Sequence, residues 1–343
     1  MRRREFVGIL GGIAGWPLIA RAQQASKVYR LGYLAPARIQ HLEDALIGAL
    51  RDLGYVGGQN LKIEYRFGVG ERLDALAAEL VELKPDLIVT VATAQAFAAK
   101  RATTTIPVVM ATAGDPLGLG VVTSLARPGG NVTGVTLYAT ELSAKRIELF
   151  REAVPRIKRL ACLDNAKNPY GQILWQETEP TARALGLEPM LFQMQQLGDL
   201  PATFREMEGK DANALIVFSD ALFNSARRQI VALAAEHRLP AMYEGREFVE
   251  DGGLISYGPN IVEMTRRSAA FVDKILKGAN AADLPIEQPT RFELAINAKS
   301  AKALGLSLSK RRLGYATRRL RRYWQTARPL IPRGRRNQSE TLR

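Results

Sequence analysis

With 343 residues, 47% hydrophobic and 24% charged, the chain has the make-up of two ordinary folded domains and not of a disordered or fibrous protein. Its formal charge of +14 invites a nucleic-acid partner, yet residues 1–22 carry +3 and residues 310–343 carry +11, so the stretch 23–309 is neutral and offers no overall basic field. The single cysteine, Cys162, excludes an internal disulfide, and the two histidines, His41 and His237, lack an HxxxH or CxxC partner and leave a zinc site without support.

The chain opens MRRREFVGILGGIAGWPLIARAQQ. Its arginines, the apolar run from Val7 to Ala20 and the small-x-small triplet Ala20-Arg21-Ala22 form the three regions of a bacterial export signal, and the run is too short to span a bilayer comfortably. Arg3-Arg4-Glu5-Phe6-Val7 also fits the twin-arginine pattern, with glycines diluting the apolar stretch. Residues 1–22 are therefore expected to be an address cleaved after Ala22, leaving a periplasmic chain with no membrane anchor.

From Lys27 strand-like and helix-like segments alternate. VYRLGYLA predicts a strand, and IQHLEDALIGALRDLGY places Leu42, Leu46, Ala49, Leu50 and Leu53 on one helical face before Gly54 ends it. LKIEYRF alternates apolar and charged residues, as a strand with one wet face does. The helix ERLDALAAELVELK, the buried strand DLIVTVA, the helix AQAFAAKRA and the strand IPVVMATAG complete a βαβαβαβ run, the pattern of a parallel sheet covered by helices. The stretch from Gly114 to Phe150 reads as a connection, and its GDPLGLG lacks the spacing of a phosphate loop. The wind then starts again with RLACLDN, where Cys162 reads as a core thiol, and runs through GQILWQETEPTARALG, LEPMLFQM, LPATFREMEG, ANALIVFSD, SARRQIVALAAEHR and LPAMYE. Pro180 predicts a kink in the first of these helices. The fold class is α/β, two doubly wound lobes.

In such sheets a ligand sits beyond the carboxyl ends of the strands, where loops converge with helix N-termini. Those loops supply the candidate binding residues Ala35, Pro36, Thr93, Ala94, Asp115, Asn165, Tyr170, Ser219, Asp220, Tyr243 and Glu244, and Tyr257 joins them as a possible aromatic face. For an amino acid, N–H groups and Thr93 suit the carboxylate, and Asp220 or Glu244 suits the ammonium, since a desolvated charge needs a partner. Helix capping is the competing role of Thr93, Ser219 and Asp220, and rim packing that of the tyrosines. No GxSxG, HExxH or Cys–His arrangement is present, so an exported α/β enzyme is the competing and weaker reading. A repressor-type regulator would need an N-terminal helix-turn-helix where the export signal lies. No cofactor and no metal are expected.

The succession RLGYLAP, LRDLGYVGGQNLKIEYRF, IPVVMATAGDPLGLGVVTSLARPGGNVTGVT, LIVFSDALFNSARRQIVALAAEHRLPAMYEGREFVEDGGLISYGPN and DKILKGANAADLPIEQPTRFELAINAKSAKALGL closely resembles the ABC-transporter substrate-binding proteins of the tryptophan/tyrosine-binding type, from about Lys27 to Leu308. The resemblance implies a type I periplasmic binding protein: two Rossmann-like lobes joined by a three-strand hinge, closing on a small solute and delivering it to an ABC permease. It implies a monomer without a nucleic-acid partner. It also implies crossovers near Thr136 to Thr140, Ser256 to Pro259 and Pro285 to Pro289. Lobe 1 would then comprise 27–137 with 258–285, and lobe 2 would comprise 138–257 with 286–309.

After Leu308 the chain departs from that pattern with SKRRLGYATRRLRRYWQTARPLIPRGRRNQSETLR, expected to be a disordered basic tail over 310–343. An altered reading frame in GC-rich DNA accounts for such a run of arginines; a basic arm for an anionic surface or nucleic acid is the alternative.

Overall fold

Continuous apolar runs followed by amphipathic ones build the same wind twice, because a strand buried on both faces needs a helix on each side. The computed structural model describes residues 27–137 and 142–306. The export signal expected over 1–22, the basic tail over 310–343 and most of the first crossover lie outside the described residues.

The first half runs β1 (Tyr29–Ala35), α1 (Gln40–Asp52), β2 (Leu61–Phe67), α2 (Leu73–Glu82), β3 (Leu87–Val91), α3 (Thr93–Ala102), β4 (Val108–Ala113) and β5 (Val132–Thr136). These strands form one parallel sheet in the order β2-β1-β3-β4-β5. The second half runs α4 (Leu142–Ala153), β6 (Arg159–Asn165), α5 (Pro169–Ala184), β7 (Glu188–Met194), α6 (Leu200–Gly209), β8 (Ala214–Val217), α7 (Ala221–Ser225), α8 (Arg227–Glu236), β9 (Ala241–Tyr243), α9 (Arg246–Glu250) and β10 (Ile255–Pro259). After α10 (Ile261–Leu276) the chain adds β11 (Phe292–Ile296) and α11 (Ala298–Ala303). The second sheet is ordered β11-β10-β9-β8-β6-β7 and is parallel except for β11, which lies antiparallel to β10. Without β11, the two sheets repeat one strand order. In each the order reverses beside its first strand, and a crevice opens there at the carboxyl ends.

Two elements arise where the sequence reads as a connection. VTGVT is β5, and LSAKRIELFREA is α4. The strand reading fails because Gly134 interrupts a short run, yet that glycine is what lets β5 pair: at φ +126° a Cβ there would lie 2.2 Å from the Met110 carbonyl oxygen. Pro180 sits inside α5 with its side chain exposed, so the carbonyl it leaves unbonded faces water and the helix continues.

Helix α10 buries Ile261, Met264, Thr265, Ser268, Phe271, Val272 and Ile275, a stripe of helical spacing packed on α1, β4 and β5, and so returns to the first sheet. The segment after it stays with that sheet through Glu287, whose N–H donates to the Gly134 carbonyl at 2.9 Å and whose carbonyl accepts from Thr136 N–H at 2.9 Å. The chain therefore passes between the sheets at 137–142, 259–261 and 287–292. Cys162 lies wholly buried in β6, where desolvation pushes its thiol far above the ordinary range.

Candidate functional site

The loops leaving β3, β4, β8 and β9 meet across the gap between the sheets. Thr93 opens α3 and its hydroxyl accepts the Gly114 N–H at 2.8 Å, so the first turn of α3 is tied to the loop after β4. No side chain caps α3. Its first N–H groups are left for another acceptor, and the helix dipole favours a negative one.

The residue before it, Ala92, has φ +75° and ψ 162°, a region that glycine alone occupies without strain. It is pinned there by its N–H, which donates to the Thr112 carbonyl at 3.0 Å, and by its carbonyl, which accepts from Ala96 at 3.3 Å. Ala92→Gly is expected to stabilise the protein by about 1 kcal/mol, because relief of about 1–3 kcal/mol of strain exceeds glycine's entropic cost of roughly 0.5–1 kcal/mol. A denaturation midpoint at or below that of the parent chain would contradict this.

From the second half comes Asp220, the N-cap of α7. Its Oδ1 accepts from the N–H groups of Leu222 at 2.7 Å and Phe223 at 3.1 Å, and its Oδ2 from the side-chain amides of Asn168 at 2.9 Å and Asn165 at 3.1 Å. Burial pushes its pKa up to about 6, and the four donors hold it from rising further. Among the described residues it has no ion-pair partner. Glu244 differs: the Arg146 guanidinium lies 3.2 Å away, Ser219 donates to it, and Arg146 also donates to the Tyr257 carbonyl at 2.7 Å. Of the two carboxylates proposed for an ammonium, only Asp220 therefore lacks a cation.

Tyr170, on the first turn of α5, reaches across the gap, and its ring lies on Gly114, where a Cβ would come within 2.6 Å of it. The ring is buried, and burial drives its hydroxyl pKa well above the ordinary value. With Thr93, Ser219, Asp220 and Glu244 it lines a cavity to which Ile39, Leu42, Leu137, Phe248 and Ile261 add apolar surface. About 620 Å³ of atom-free space lies among these residues, but room for the centre of a water-sized group is about 40 Å³. The two halves are thus drawn close together. Pro36, Ala94 and Asn165 line an adjoining chamber that shares Asp220 with the first.

Four candidates lie elsewhere. Ala35 is the buried end of β1, its carbonyl taken by Gly68 N–H. Asp115 folds onto its own loop and accepts from Leu117 and Gly118 at 3.1 and 2.8 Å. The Tyr243 ring stacks on Phe248 at 4.7 Å within the helix-covered core, and the Tyr257 ring packs 6.2 Å from Phe292. Neither tyrosine is among the residues lining the cavity, and their rings serve packing.

Sequence reading missed Asn168 and Asn224, both of which line the cavity. Asn168 caps α5 ahead of Pro169, a cap-then-proline signal that was available. Asn224 stands four residues after Asp220, and its N–H donates to the Asp220 carbonyl at 3.0 Å, which closes the first turn after the cap. Every other polar side chain around the cavity has a partner within the protein, whereas among the described residues the Tyr170 hydroxyl and the Asn224 amide oxygen have none.

A family model described as ABC transporter substrate binding protein matches residues 36–320, past Leu308, where the sequence reading ended the resemblance. A tyrosine-binding protein of Clostridioides difficile is 27% identical over 262 residues, 76% of this chain and 75% of that one. The crystal structure of an ABC domain in complex with L-Trp from Streptococcus pneumonia superposes with a TM-score of 0.76 at 26% identity, covering 84% of this chain and 98% of the other. A conserved domain protein from Vibrio cholerae reaches a TM-score of 0.78 at 24% identity, over 85% and 99%.

Proposed function

The chain belongs to the ABC transporter substrate binding protein family, whose members are binding proteins and not enzymes, and from that premise we propose that it captures an α-amino acid between its two lobes and hands it to an ABC permease. The observation that carries this reading is the pairing of opposite electrostatic needs across one cavity. Asp220 is a half-buried carboxylate without a cation among the described residues, and the uncapped N-terminus of α3 faces the same space from the other lobe. An α-amino acid supplies an ammonium to the first and a carboxylate to the second, and its side chain meets the apolar surface. The tyrosine-binding and L-Trp-bound relatives support an aromatic side chain in that position.

Capture proceeds by a shift toward the closed form, because a solute gains both sets of contacts only when the lobes meet around it. The three passages between the sheets serve as the hinge, which moves the expected lobe boundaries from 258 to about 260, because β10 runs to Pro259, and from 286 to about 288, because Glu287 is bonded to β5. The protein works as a monomer in the periplasm after cleavage behind Ala22. No described helix is long and apolar enough to cross a membrane, and the signal-like N-terminus supports export.

Unfolding scans with the twenty amino acids test the reading. A solute that binds only the folded chain adds about 2.7 kcal/mol at a hundredfold excess over Kd. At least one amino acid, with an aromatic one foremost, is expected to raise Tm and to be recovered unaltered; no shift from any of them would sink the proposal.

A further inference from the structure

Resting on the amino-acid reading above, we infer that Asn224 selects the solute's side chain by requiring that it carry a hydrogen-bond donor, an N–H or an O–H. The side chains of Asn224 and Tyr170 are the cavity's two unpartnered polar groups among the described residues, and their residues are 5% and 1% exposed. A dry, unpaired amide oxygen is costly to leave so, and the solute is the component able to satisfy it.

Position along α7 decides which part of the solute that is. Asn224 sits one turn beyond Asp220 along α7, and both residues line the cavity. Further along the chain Arg227 lines a neighbouring cleft together with His41, Glu247 and Val262, the chain neighbours or near neighbours of Leu42, Phe248 and Ile261. The chain from Asp220 through Asn224 therefore leads toward the apolar surface of Leu42, Phe248 and Ile261. With the ammonium at Asp220, the side chain and not the head of the solute reaches the Asn224 amide. A phenol or an indole offers both the apolar body that this surface needs and the donor that the amide oxygen needs. A plain phenyl ring covers the surface but leaves the oxygen unpaired.

The test is calorimetric titration of the full chain and of Asn224→Leu with L-tyrosine, L-tryptophan and L-phenylalanine. Leucine is close to asparagine in size, and the oxygen it removes has no hydrogen-bond partner among the described residues, so Tm without solute is expected to hold; Asn224→Ala gives the same readout with a smaller side chain. The parent chain is expected to bind tyrosine or tryptophan at least about tenfold tighter than phenylalanine, and the variants to bring that ratio within about threefold. Equal affinity for all three in the parent, or a ratio that survives in both variants, overturns the role of Asn224 and leaves the amino-acid reading standing. If none of the three binds the parent, no aromatic amino acid is the solute and the role falls with that part of the reading.

Discussion

Asp220→Asn is expected to weaken amino-acid binding about a hundredfold at pH 7. Removing one partner of a buried, hydrogen-bonded charge pair costs about 2–5 kcal/mol, and about 2.7 kcal/mol is a factor of a hundred. The fold survives, since asparagine still caps α7, and the amide it turns toward Asn165 and Asn168 is offset by the loss of a buried charge. The sign of the pH dependence is fixed by a native pKa of about 6 against an ordinary 3.8. Between those values the native chain holds a proton that the unfolded chain has lost, so solute-free stability is highest at the acid end and falls by about 3 kcal/mol at most as pH rises through 6. Affinity runs the other way. Only the ionised carboxylate pairs with an ammonium, so binding at pH 5 is expected to be about tenfold weaker than at pH 7. Calorimetric titration at both pH values, on the parent and on Asp220→Asn, reads both effects. A variant that binds as the parent does, or that keeps the parent's pH slope, would show that another group holds the ammonium.

Much of this was legible in the sequence for reasons that also mark where reading stops. Strands such as DLIVTVA and ANALIVF are apolar on both faces and announce a parallel sheet. β5, with a glycine in its middle and threonines on both sides, carries no such signal, and its pairing depends on how closely β4 approaches. The rule that ligands lie beyond the carboxyl ends of strands found the loops that line the cavity and therefore Thr93, Ser219 and Asp220. It did not say which way each side chain turns, so Tyr243 and Tyr257, which point into the core, were included with Tyr170, which points into the gap. Asn224 escaped because the lack of a hydrogen-bond partner is a property of three-dimensional neighbours. Arg146 escaped for the opposite reason: it stands in a stretch that reads as a connection, where a charge is expected to face water, yet it lies on α4 and is 5% exposed.

That burial makes Arg146→Met the substitution with the largest expected loss of stability. The guanidinium joins three elements: from α4 it donates to the Tyr257 carbonyl of β10 at 2.7 Å and pairs with Glu244, at the end of β9, at 3.2 Å. Methionine fills much of the volume but leaves a carboxylate buried without its cation, a loss of about 3–5 kcal/mol, and Tm is expected to fall by about 10 °C. The pair itself is worth less than that penalty, because both charges were desolvated to form it. The double variant Arg146→Met with Glu244→Gln removes the stranded charge and is expected to recover most of the lost stability, a coupling that unfolding curves of the parent, both single variants and the double variant measure directly. If the two single losses simply add, the ion pair is not what holds Glu244 in the cavity wall. If they couple, Glu244 is already neutralised within the protein, and the carboxylate left for an incoming ammonium is Asp220.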